Sequence, residues 1–276
     1  MELIWHGTAG IEAVCSEGRI LFDPFVPLKG SVVDVKLGDF DGFTDVFVTH
    51  GHIDHISDLP KIVARNPGTK IRCTKTPAAT LAKKGVPEEN LIRIGPGREL
   101  RVQGFAVRTF RGKHAVLPKG PLSRGLNMLR SPARGNLPHI LSECLACKEN
   151  GETLFYEIEA DGARVCIMGS LNLCEDEDYP QGADLLVLPY NGWRDNLPPA
   201  VSVIGRLQPK RVVLDHWDDT FPPLTVPLDL SPVLERFPGL VTPMEHGKPF
   251  SVQAQRPRDI LGSGNSPGTG RVTIHM

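Results

Sequence analysis

Short apolar runs separated by Gly-containing turns dominate the start of the chain. Residues 2–5, 10–15 and 19–22 read as strands, and Asp23-Pro24-Phe25 closes the third because Pro24 biases Asp23 away from helix. Residues 45–49, Asp-Val-Phe-Val-Thr, form a continuous apolar run of the kind buried on both faces. Helical spacing predicts a helix over 56–66 stopped by Pro67-Gly68. A second is expected over 76–84, with Thr76 as N-cap, Pro77 in the first turn and Gly85 at its end. Between and after them, strands are expected at 70–73, 91–94, 99–102, 105–110, 153–159, 164–168, 184–188 and 211–214. A helix over 198–207 feeds the last of these. Hairpins alternating with strand–helix units predict an α/β fold of two mixed β-sheets with outer helices.

Two segments break this pattern. Residues 111–150 carry scattered Gly and Pro and little periodicity, as in a lid or other functional insert. They hold seven basic residues, Arg111, Lys113, Lys119, Arg124, Arg130, Arg134 and Lys148, against Glu143 and Glu149. Residues 256–276 include Gly262-Ser-Gly-Asn-Ser-Pro-Gly268 and read as a flexible tail, which leaves 1–255 as one domain.

Composition narrows the class. The chain has 276 residues, 40% hydrophobic, with 31 Lys+Arg against 32 Asp+Glu, enough for a sizeable core and too balanced for bulk-charge binding of nucleic acid. No run approaches the ~20 apolar residues of a membrane span. The N-terminus shows neither basic n-region nor apolar h-region, so a soluble cytoplasmic protein without a membrane partner is expected. Of six cysteines only Cys144 and Cys147 are closely spaced, and a lone pair reads as free thiols.

The chemistry concentrates in Thr49-His50-Gly51-His52-Ile53-Asp54-His55, directly after a buried strand. Three imidazoles and a carboxylate in six residues are a donor set for a divalent cation. In an extended loop His50 and His52 point the same way and can share one metal, while Asp54 and His55 diverge and suit a second position.

His50-x-His52-x-Asp54-His55 after an apolar strand resembles the motif of the metallo-β-lactamase superfamily. The opening Arg19-Ile-Leu-Phe-Asp23-Pro24-Phe25 resembles the start of that fold. Arg211-Val-Val-Leu-Asp215-His216-Trp217-Asp218-Asp219-Thr220-Phe221-Pro222 resembles the last metal-histidine strand of the branch containing L-ascorbate-6-phosphate lactonase. The resemblance covers roughly residues 1–255 and implies a four-layer αββα sandwich. It further implies that His50, His52 and His114 bind one metal ion and that Asp54, His55 and His216 bind another. One or two divalent ions follow, zinc foremost, with manganese or iron as alternatives. At the position of the family's bridging aspartate stands Ser170, a neutral and poor ligand, with Asn172, Cys174 and Asp176 nearby as compensating candidates. The usual following His-Gly is replaced by Tyr190-Asn191-Gly192-Trp193.

The expected chemistry is metal-assisted hydrolysis, with Asp54 both ligating and orienting the nucleophile and His139 of the insert as candidate proton donor. The insert's positive charge favours a small anionic ester, lactone or phosphodiester as substrate partner. A phosphodiesterase or nuclease of the same fold is the alternative, with nucleic acid a partner only through the insert. A metal-binding protein that has lost turnover with the aspartate is a third, and a one-iron redox enzyme is disfavoured by Ser170. A homo-oligomer is compatible with all of these. His6 could face the cleft or cap a turn, His246 reads as a turn residue, and His275 lies in the tail. No GxxxxGK, GxGxxG, GxSxG or HExxH motif is present, which leaves nucleotide-dependent transfer and serine hydrolysis unsupported.

Overall fold

A computed structural model describes residues 1–115, 131–193, 195–219 and 221–254. The first sheet contains β1 (Glu2–Trp5), β2 (Ile11–Cys15), β3 (Gly18–Phe22), β4 (Asp45–Phe47), β5 (Lys70–Cys73) and β6 (Leu91–Arg93). The second contains β7 (Glu99–Val102), β8 (Phe105–Arg111), β9 (Leu154–Ala160), β10 (Ala163–Met168), β11 (Leu185–Pro189), β12 (Val212–Asp215) and β13 (Val241–Pro243). A last strand, β14 (Pro249–Ser251), returns to the first sheet beside β1.

Both sheets are seven-stranded, in the orders β14-β1-β2-β3-β4-β5-β6 and β13-β12-β11-β10-β9-β8-β7. Each is half antiparallel meander and half parallel: β3 to β6 and β10 to β13 run parallel, the rest antiparallel. Every residue of β4, β11 and β12 is buried, which accounts for the apolar runs they contain, broken only by Asp45 at the start of β4 and Asp215 at the end of β12, since helices cover the outer face of each parallel half.

The core has three layers. Leu3, Ile20, Phe22 and Phe47 of the first sheet meet Val107, Tyr156, Ile158 and Val187 of the second between the sheets. Phe22, Phe47 and Tyr156 form an aromatic triangle with centroids 5.3–5.7 Å apart. Each such ring contributes on the order of 1.5–3 kcal/mol through burial, and each pair about 0.5–1.5 kcal/mol more. Outside the first sheet, Ile56, Leu59, Ile62, Ala78 and Leu81 pack helices against Leu21, Val46 and Ile71. Outside the second, the helix Leu197–Leu207 lays down Ala200, Val203, Ile204 and Leu207, a stripe with the period of one helix face. The molecule is the expected four-layer αββα sandwich.

Local departures from the sequence reading have physical causes. The helix expected over 56–66 is two, Ile53–Ile56 and Leu59–Arg65, because Pro60 has no N–H to continue the ladder. Asp58, at the break, accepts from the Val26 amide and from Lys61 Nζ. The helix expected from Thr76 starts one residue earlier, with Thr74 at the N-cap, and the Thr76 amide is satisfied by Glu152 Oε2 at 2.7 Å. Within the insert, Leu137–Ala146 is helical, with Pro138 in its first turn and only Ile140 buried. Insert residues 116–130 and the expected tail, with His275, lie outside the described residues. Among the described residues no helix is long and apolar enough to cross a membrane.

Candidate metal centre

The candidate donors sit where strands end. His50 lies three residues beyond β4, His114 three beyond β8 and His216 one beyond β12, so four-layer topology carries distant segments to one rim. The turn of helix Ile53–Ile56, with His52 at its N-cap, presents Asp54 and His55 beside them. Two trios result: His50, His52 and His114, and Asp54, His55 and His216, each with donor atoms within 4.8 Å of one another. The trios adjoin, since the rings of His50 and His55 are 3.9 Å apart. All six residues line one cavity of about 1090 Å³.

The imidazoles are oriented from behind. Asp23, 1% exposed at the end of β3, accepts the Thr49 amide on Oδ1 at 2.8 Å and the Thr49 hydroxyl on Oδ2 at 2.6 Å. His55 Nδ1 lies 2.9 Å from the same Oδ2, and Thr49 Oγ1 lies 3.1 Å from His50 Nδ1. His114 Nδ1 lies 2.6 Å from the Ala115 carbonyl, and His216 Nδ1 lies 3.2 Å from Asp215 Oδ2. With Nδ1 of His50, His55 and His114 engaged by oxygen, the tautomer with a lone pair on Nε2 is favoured in those three rings, which suits a metal ligand. His216 itself has φ +59, a strained backbone held by its amide bonding to Thr8 O and by Asn191 Nδ2 donating to its carbonyl.

Electrostatics separate the trios. Burial, with the neighbouring imidazoles, pushes His50 well below the ordinary histidine range and His52 down to about 4. Burial also lowers His114. These three rings are uncharged near neutrality and offer lone pairs without losing a proton. In the second trio burial would raise Asp54, but the His55, His216 and His52 rings outweigh it and hold the carboxyl below its usual range. Burial would lower His216, yet the carboxylates of Asp215 and Asp54 raise it to about 9, while burial raises Asp215. Asp54, His55 and His216 would hold a cation there in place of the His216 proton. Imidazole-rich donors with one carboxylate fit a divalent metal ion.

The other expected residues divide. Ser170 lines the cavity, and its Oγ accepts the Ala115 amide at 2.9 Å, so it pins the segment next to His114. None of its candidate compensators lines the cavity: Asp176 is exposed and pairs with Arg111 at 2.8 Å, Cys174 Sγ donates to Gly112 O, and Asn172 Nδ2 donates to His114 O. His139 is exposed on the insert helix and away from the lining, because its helix turns Cys144 and Cys147 toward the cavity instead. Those two cysteines are free thiols, as are the other four. His6 pairs with Glu12 at 3.0 Å, and His246 bridges to Trp5, both outside the lining. Sequence reasoning missed the work of Asp23 and Asp215. The signal available was an acidic residue at the end of an apolar strand, adjacent in one case to a candidate ligand.

Gly169, at the end of β10, makes this packing possible. A Cβ there would lie 2.3 Å from Thr49 Oγ1 and 2.4 Å from Thr49 Cβ. Gly169→Ala is therefore expected to cost about 1–3 kcal/mol, lowering the thermal midpoint by roughly 2–10 °C, and to weaken metal binding by moving Thr49 off His50 and His55. Differential scanning fluorimetry with a metal titration checks this, and an unchanged midpoint together with unchanged metal affinity would refute the packing argument.

Comparison with known proteins agrees with this architecture. A metal-dependent hydrolase of Polynucleobacter asymbioticus is 26% identical over 231 residues, 79% of this chain and 74% of that one. One of Metallosphaera sedula is 29% identical over 115 residues, 41% of this chain, so the match spans only half of that relative's length. A metallo hydrolase of Ignicoccus hospitalis has the same fold with TM-score 0.59 and 19% identity, covering 92% of this chain and 99% of that one. Zinc-bound PqqB of Methylobacterium extorquens superimposes with TM-score 0.56 and 17% identity, covering 91% and 100%. The model of the beta-lactamase superfamily domain matches residues 18–217, the stretch that spans every candidate donor, and the chain belongs to that family.

Proposed function

We propose that the chain is a metal-dependent hydrolase that delivers activated water to an ester, lactone or phosphodiester. The observation that carries this reading is the convergence on one cavity of six donors from three segments, those that follow β4, β8 and β12. The relatives described as metal-dependent hydrolases support it. His50, His52 and His114 would hold one divalent cation and Asp54, His55 and His216 a second, zinc foremost and manganese or iron next. When bound, such a cation supplies Lewis acidity and brings water toward deprotonation near neutral pH.

The chain's own groups set orientation. Asp23 and Thr49 fix the rings of His50 and His55, and Asp215 fixes His216. The carboxylate of Asp54, held ionised by the surrounding imidazoles, orients the attacking water through an oxygen lone pair. Its low basicity makes it a better ligand and orienter than a proton store. An anionic group on the substrate, as in the L-ascorbate-6-phosphate lactonase-like branch, is favoured by the basic insert, of which Lys148 lines the cavity.

The test is metal per chain by elemental analysis, with hydrolysis of a nitrophenyl phosphodiester and of a simple lactone. Bound metal with turnover of either supports the reading, and absence of metal after reconstitution ends it. A second reading, a metal-binding protein with little turnover, is favoured by Ser170, whose hydroxyl is engaged by Ala115 and supplies no charge between the trios. Tight metal without turnover across a wider ester panel selects it. Under either reading Ser170→Asp adds a charged donor and is expected to raise occupancy of the weaker position. Metal content equal to wild type would count against the correspondence drawn for residue 170.

A further inference from the structure

The cavity is far larger than its donors require. At about 1090 Å³ it matches the largest small-molecule sites, which run to roughly 1,000 Å³. Much of one side is built by residues 221–228 together with Trp193. This wall is braced. The Leu224 and Thr225 amides donate to the Phe221 carbonyl, the Phe221 amide donates to Thr225 Oγ1, and the Leu228 amide donates to Trp217 O. Phe221 packs edge-on against Phe25, and Trp193 Nε1 donates to Leu171 O at 2.7 Å.

On this braced wall Leu224 and Val226 stand 42% and 65% exposed. The other large apolar side chains left exposed among the described residues are Val32, Leu141 and Leu145. They lie on segments that flank the same cavity. The Val32 amide donates to Asp219 of the lining, and Leu141 and Leu145 share a helix with the lining residue Cys144. A single exposed apolar side chain is ordinary, but Leu224 and Val226 stand together on the wall of one cavity, which marks a binding surface. Lys148 is the one Lys or Arg among the described lining residues, and its Nζ donates to Cys144 O.

We propose that the wall formed by Trp193, Phe221, Leu224, Val226 and Leu228 seats an apolar acyl or alkyl chain of the substrate, with the scissile group directed at the donor trios. The proposal takes its reactive end from the hydrolase reading and its apolar end from the wall alone. A methylene withdrawn from water against such a wall tightens binding about fourfold.

The test uses the metal-loaded protein and needs no turnover. Calorimetric binding of butanoate, hexanoate and octanoate keeps the carboxylate head constant, so the dependence on chain length reads the wall. Affinity is expected to rise about fourfold per methylene, and Leu224→Ser combined with Val226→Ser to reduce the rise to under about twofold per methylene. In parallel, the ratio of kcat/KM for nitrophenyl octanoate over nitrophenyl acetate is expected to exceed one and to fall in the double variant. Circular dichroism verifies that these two solvent-facing changes leave the fold intact. A flat series in the wild type, or an equal slope in the variant, overturns the proposal. Length-dependent binding with no ester turned over removes the hydrolase reading and leaves the apolar seat standing. Turnover without length dependence does the reverse.

Discussion

Asp54→Asn is expected to lower hydrolysis by more than about 100-fold and to leave the second donor trio without tightly held metal. Loss of a partner that merely orients a ligand costs about 10–100-fold in metal affinity or activity, and Asp54 belongs to the donor set itself. It is the one carboxylate among the six clustered donors, so asparagine removes the negative charge that meets a dication while keeping the shape. It also removes a charge that helps hold the His216 proton. Elemental analysis and steady-state rates on the same preparation check both parts. Wild-type metal content with an unaltered rate would exclude Asp54 from the centre.

Asp23→Asn separates orientation from ligation. Both oxygens of Asp23 are used, one by the Thr49 amide and the other by the Thr49 hydroxyl and His55 Nδ1. An amide in its place turns one acceptor into a donor facing another donor, deep in the protein. The expected cost is about 1–3 kcal/mol of stability, from the buried polar groups left unpaired. Metal affinity is expected to fall by about 10–100-fold, as for other partners behind a ligand. A thermal midpoint measured without metal isolates the first effect and a competitive chelator titration the second. A titration that superimposes on wild type would show that His55 needs no support from Asp23.

The parts of this centre differ in how openly the chain declares them. His50, His52, Asp54 and His55 were legible because the topology needs them within one turn-length of sequence. His114 and His216 carry no local signature, and only their order after strands, read through the family resemblance, linked them to the motif. Asp23 was hidden by its setting, since an aspartate before proline after a strand is also what an ordinary strand end looks like. In Leu137–Ala146 one residue alone is buried, which leaves no hydrophobic period to detect. The strands Val241–Pro243 and Pro249–Ser251 are three residues each, too short for alternation to register. The wall at 221–228 has neither helix nor strand period, so its apolar residues acquired meaning only from the cavity they line.

The alternation of apolar runs with turns predicted two mixed sheets, and that held because each sheet combines a local meander with helix-covered parallel strands. The failures are at breaks set by single residues. Pro60 divides a helix whose apolar spacing runs straight through it, and Glu152, from a distant segment, bonds to the amide of Thr76.

The loop bearing His50 rests on the sheet to which it does not belong. The Tyr156 hydroxyl donates to the Val48 carbonyl at 2.7 Å, and the Leu154 amide donates to the Thr49 carbonyl at 2.8 Å, both from β9. Tyr156 is also a corner of the aromatic triangle with Phe22 and Phe47. Any repacking that alters the gap between the two halves is thus transmitted to the perch of the imidazoles. The inter-sheet core and the seat of the metal-site imidazoles are therefore one mechanical unit, so a substitution at Phe22, Phe47 or Tyr156 acts on both.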